Sequence, residues 1–263
     1  MSSVPGREST TVNENGVTPL SGRGKAVRAI AVIMAVSAVG FGLFTAVFGI
    51  VSEAQEVHAV HNVVVASLLL ILSAPAAIAV ARSPERSIRP LTVLAAVAIA
   101  GAVTMVLSLT LDPFTLPFVV LIGVLWALRP KQERPFPGGR ASALLAVLIL
   151  VGAVPLVAYA LGQAELSRID RSSEHAQFYH WVETSFYAVA VLLLGLVTSL
   201  RPAAFRMAAR MAGGALAVLG GASLLLEGYP SALDAAWAWT ALAGGVVFVA
   251  AAEWEGRRLE EAM

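Results

Sequence analysis

The chain contains no cysteine. Disulfides and thiolate metal sites are therefore excluded, and any metal would have to be held by imidazole, carboxylate or carbonyl oxygen. Charge is scarce as well. Asp, Glu, Lys and Arg together make up 13% of the 263 residues, against about 25% in soluble domains. A net charge of +1 leaves no electrostatic footprint for nucleic acid. Lysine occurs only at Lys25 and Lys131, outside the apolar runs, so none could carry a chromophore inside a span. No phosphate-cradling glycine loop, nucleophile elbow or zincin motif is present. Enzyme chemistry has little to stand on.

What remains is apolar. Hydrophobic residues reach 58% and the mean hydropathy is +0.79. They come as long blocks, the pattern of helices that cross a hydrocarbon core of about 30 Å with about 20 residues each. The blocks cover Val27–Val51 and then about 60–81, 91–111, 114–128, 141–162, 180–200, 207–226 and 232–252, which predicts an all-α polytopic bundle of eight spans. Residues 1–24 are polar and read as a disordered cytoplasmic tail. Val27–Val51 is too long for a signal-peptide core and is expected to be a retained span. The 114–128 block is the shortest and opens on Asp112-Pro113. Pro75 and Pro155 fall inside spans, where neighbouring helices tolerate the kinks they cause.

Basic residues in short loops stay on the cytoplasmic side. With both termini inside, 16 of the 18 Lys and Arg residues fall inside, and only Arg168 and Arg171 remain outside. The outer side then carries nine acids: Glu53, Glu56, Asp112, Glu165, Asp170, Glu174, Glu183, Glu227 and Asp234. The expected location is the plasma (inner) membrane, with the lipid bilayer as the partner. Sixteen arginines among a wealth of Ala, Val and Leu suggest a GC-rich bacterial genome.

The halves look alike. A shift of 122 residues lays His58 on His180, His61 on Glu183 and Leu111-Asp112 on Leu233-Asp234. Residues 25–130 and 141–263 are thus expected to be two parallel four-helix repeats, joined by a Pro/Gly-rich cytoplasmic linker at 131–140.

All four histidines lie in two clusters, each at the mouth of an apolar run. His58 and His61 are three apart, as are His180 and Glu183, so each pair shares a helix face. Two such pairs across a pseudo-two-fold axis could supply four ligands to a divalent transition metal, or hold a cation or proton. Glu183 sits about one turn inside its span and should face the bundle, because a charge facing lipid is costly. Thr184 and Tyr187 extend its polar stripe. His175 precedes the expected helix start and is read as a loop residue outside the candidate set. A haem held by two histidines is the second cofactor candidate. With all four histidines on one side it would be single and without a relay across the bilayer.

From His180-Trp181 through Leu200-Arg201-Pro202 to Ala252-Glu253-Trp254-Glu255 the C-terminal half resembles uncharacterised actinobacterial multi-pass membrane proteins, a group that implies no activity. Two functional readings follow from the residues. One is a transporter or channel-like protein with an outward-facing site of His58, His61, His180 and Glu183. The other is a non-transporting structural, regulatory or lipid-interacting membrane protein without a ligand site.

Overall fold

A computed structural model describes residues 20–51, 58–129, 141–200 and 205–261. They form ten helices: α1 Gly22–Val51, α2 Ala59–Leu70, α3 Ala74–Arg82, α4 Ile88–Ser108, α5 Thr115–Leu128, α6 Ala143–Ile169, α7 Glu174–Gln177, α8 His180–Ser199, α9 Phe205–Leu225 and α10 Ala235–Glu261. No strand occurs among the described residues. Seven passages are long and apolar enough to cross a bilayer, with α2 and α3 counting as one. They fit an integral membrane protein in a lipid environment. The eighth expected span, α5, has 14 residues, or about 21 Å at the α-helical rise. Glu53, Glu56, the 131–140 linker and residues 1–19 of the expected tail lie outside the described residues.

Local chemistry explains the helix ends. α1 starts at Gly22, ahead of the expected Val27, because the Ser21 hydroxyl accepts the Gly24 N–H at 2.9 Å. The kink expected at Pro75 is a full break between α2 and α3. Pro75 occupies the first turn of α3, where its missing N–H costs nothing, and the Ser73 hydroxyl donates to Leu68 O at 2.7 Å across the gap. Pro155 lies within a continuous α6. Asp112 and Asp234 do the same work 122 residues apart. The Asp112 carboxylate accepts the N–H of Thr115 at 3.1 Å and its backbone oxygen that of Leu116, opening α5. Asp234 accepts Trp237 N–H at 3.1 Å and Ala238 N–H at 2.8 Å, opening α10.

α8 is the central helix. It packs on α6 and α9 and, across the bundle, on α4 and α2. Its Phe186, Tyr187, Ala190 and Leu194 are buried in the core, and the Tyr187 hydroxyl donates to Ala215 O at 2.6 Å. α9 and α10 approach closely through Gly213, Gly220 and Gly245, whose missing side chains leave room for the opposing backbone. By contrast α6 is mostly exposed, with Val151 at 72% and Val154 at 74%, as a lipid-facing helix must be.

Two ends of the bundle can be told apart by contacts. At one, α2 and α8 begin beside each other with all four histidines. At the other, Ser142 N–H donates to Ser199 O at 2.8 Å and the Ser142 hydroxyl to Glu255 Oε1 at 2.7 Å, joining the start of α6 to the ends of α8 and α10. The same end holds an ionic clasp. Arg206 meets Glu253 at 2.5 Å and Glu260 at 2.6 Å, while Arg210 meets Glu253 at 2.6 Å, tying α9 to α10.

Candidate metal centre

Three separate segments deliver the four histidines. His58 is the N-cap of α2 and His61 lies in its first turn. The second segment, α7, exists because Ser173 caps it: its hydroxyl accepts Ala176 N–H at 3.2 Å and donates to Asp170 Oδ2 at 2.6 Å. This extra turn carries His175. Tyr179 then takes a left-handed conformation, φ 62°, which turns the chain so that His180 begins α8 on the same side.

The rings converge. His58 lies 4.5 Å from His175 and 4.7 Å from His180 between ring centroids; His61 lies 4.8 Å from His175 and 4.9 Å from His180. His58, His61 and His175 are buried, and one nitrogen from each falls within 4.8 Å of the other two. His58 and His61 stand beside His180, the convergence that a site shared by the two clusters requires. The expectation that His175 stays apart in a loop is corrected, because the Ser173 cap folds it into a helical turn that aims it at the α2 histidines. Glu183 takes a peripheral position. Its Oε2 is 3.5 Å from His180 Nδ1, and it lies within electrostatic range of Asp112 on the side of α4 and α5.

Three of the rings have partners outside the cluster. Ser231 Oγ lies 2.9 Å from His61 Nε2 and donates to Gln163 Oε1 at 2.7 Å. A hydroxyl has one proton, so with that proton on Gln163 the oxygen accepts from His61 Nε2–H. His61 is then the Nε2–H tautomer, and its buried Nδ1, which has no hydrogen-bond partner, carries the lone pair. His58 faces Glu174 Oε2 with Nε2 at 3.5 Å and likewise keeps a buried Nδ1 without a hydrogen bond. Trp181 stacks on His175, with centroids 4.8 Å apart and planes at 18°. Its indole N–H donates to Asp170 Oδ2 at 3.2 Å.

Burial, then the neighbouring His180 ring, holds His58 below its ordinary value of 6.5, with Glu174 opposing. Asp170 stays ionised to lower pH than a free carboxylate because Ser173 and Trp181 both donate to it. Crowded imidazoles backed by second partners are the donor set of a zinc, copper, iron or nickel site. In a tetrahedral zinc site nitrogens stand about 3.3 Å apart, so His58, His61 and His175, whose ligand atoms lie within 4.8 Å of one another, would have to close by up to about 1.5 Å. A haem would instead have to part rings that now touch.

Sequence reasoning missed Ser231, Gln163 and Trp181 as supports. Ser231 lies beyond α9 in a turn at φ 63°, and nothing local marks it. The signal for His175 was present in Ser173, a strong N-cap residue one position before Glu174. Comparison with family models, curated proteins and solved structures finds no match to this chain.

Proposed function

We propose that this is an eight-pass bacterial plasma-membrane protein, with both termini cytoplasmic, that binds a divalent transition-metal cation at its outer end. The ligands are His58, His61, His175 and His180, with Glu183 as a carboxylate neighbour. One observation carries the reading: all four histidines of the chain meet in one cluster, three of them buried and His180 partly so, although they come from three segments. Burying a polar group without a partner is costly, and a bound cation gives the Nδ1 atoms of His58 and His61 the partner they otherwise lack.

Several features support the topology. α5 starts beside Asp112 at the histidine end, and the chain resumes at Ser142 at the opposite end. This favours a short α5 that crosses. Positive residues gather at the far end in the manner of cytoplasmic loops. The matched roles of Asp112 and Asp234, and the pairing of α1 with α2 as α6 with α8, support a duplicated four-helix unit.

For a transporter, the inward path is the polar stripe of Glu183, Thr184 and Tyr187. Beyond it the buried face of α8 is Ala190, Val191 and Leu194. Release of a bound cation to the other face would require α8 to shift against its neighbours. Purified protein, stripped with chelator, is expected to bind about one Zn²⁺ or Cu²⁺ and to melt at a higher temperature with it, as binding to the native state demands. His61→Ala removes both effects. Absence of stoichiometric binding by the wild-type protein overturns the reading.

A further inference from the structure

A second feature lies apart from the histidines. A cavity of about 700 Å³ separates α6 from α10, with α8 and α9 as its floor. Leu148 to Tyr159 of α6 line one wall and Asp234 to Phe248 of α10 the other. At 1.5 Å per residue these walls are about 16 and 21 Å long. The cavity is therefore a slot along the helices, close to the depth of one leaflet of a hydrocarbon core about 30 Å thick.

Its chemistry is graded. Along most of its length the lining is Leu, Ile, Val, Ala and Gly. The polar side chains sit towards the histidine end: Asp234, which caps α10, Tyr159, whose hydroxyl donates to Ser231 O at 2.7 Å, and Thr240, whose hydroxyl donates to Ala236 O at 2.8 Å within its own helix. Trp237, 48% exposed, stands beside them, where amphipathic rings mark a membrane interface. Gly152 and Gly244 sit on opposite walls, and a Cβ at either would meet nothing within 4 Å. The slot is kept open by small residues on the two helices that face lipid.

We propose that this slot is a binding site for one acyl chain of a phospholipid from the leaflet at the histidine end, with the headgroup beside Asp234 and Trp237. The occupant follows from the setting. The slot lies at bilayer depth between two lipid-facing helices, has about the length of one leaflet, and is apolar below the headgroup level except for Thr240, whose hydroxyl is satisfied within α10. The proposal is independent of metal binding.

The test compares wild-type protein with the double variant Gly152→Leu/Gly244→Leu, both reconstituted in nanodiscs of equal parts phosphatidylethanolamine and phosphatidylglycerol. Each is then extracted into mild detergent and weighed by native mass spectrometry. The wild type is expected to retain one phospholipid through extraction. The double variant, whose new side chains start into open space and are expected to fill the slot, loses it at least about tenfold at an unchanged melting temperature. A wild-type protein that retains no phospholipid, or a folded double variant that retains as much as wild type, overturns the proposal. Should the variant fail to fold, a phospholipid brominated on its acyl chain decides with the wild type alone. Quenching of Trp237, taken as the difference from Trp237→Phe, should saturate at one lipid per protein. Quenching that only follows bulk lipid overturns the site.

Discussion

Ser231 and His61 are separated by 170 positions in the chain, yet the Ser231 hydroxyl lies 2.9 Å from His61 Nε2. Because that hydroxyl gives its proton to Gln163, it selects the tautomer that leaves the lone pair on the buried His61 Nδ1, which has no hydrogen-bond partner. Ser231→Ala is therefore expected to weaken metal affinity by about 10- to 100-fold, the usual effect of losing a partner behind a ligating imidazole. Titration of chelator-stripped variant with Zn²⁺ measures it. Unchanged affinity would remove Ser231 from the site.

His175 offers a discriminating test, since ligand sets with and without it predict different outcomes. With His175 as a ligand, His175→Ala lowers Zn²⁺ affinity by at least about 10-fold and abolishes most of the metal-induced rise in melting temperature. Trp181 stacks on this ring, so its fluorescence should respond to metal in the wild type and fall silent in the variant. A variant that binds metal like wild type returns His175 to a packing role.

The metal-free protein should lose stability on acidification. His58 titrates below 6.5 in the folded chain, whereas the unfolded chain takes up its proton near 6.5. Between those values the unfolded state binds more protons, so stability rises with pH. The contribution is complete above about pH 6.5 and is lost as pH falls below it. Asp170 is also depressed, from 3.8; its share is present above that value and is lost only at lower pH. Loss of melting temperature as pH falls below about 6.5 thus reports the histidine cluster, and His58→Gln should flatten it. An equal slope in that variant would place the titration elsewhere.

Helix packing separates neighbouring glycines of α9. A Cβ at Gly213 would stand 2.6 Å from Gly245 O, while one at Gly221 meets nothing within 4 Å. Gly213→Ala should force α9 and α10 apart and cost about 1–3 kcal/mol. Gly221→Ala should be neutral or gain up to about 1 kcal/mol from the stiffer unfolded chain. Thermal melts in detergent distinguish them, and equal effects would contradict the close α9–α10 contact.

Composition and run length alone determined that the chain is helical and apolar enough to live in a bilayer, because a backbone in hydrocarbon must satisfy its own hydrogen bonds and only a helix does so within one segment. Helical spacing alone paired His58 with His61 and His180 with Glu183. The capping acids Asp112 and Asp234 were visible as a repeat of order, since capping is local chemistry. Only the tertiary structure decided that α2 and α8 begin side by side, that His175 joins the other rings, and that Ser231 and Gln163 stand behind His61. Those contacts depend on which faces of nearly uniform Ala, Leu and Val helices pack together. In such helices the apolar pattern runs all the way round, so it names no partner face, and the choice falls to close steric fit at positions such as Gly213 and Gly245.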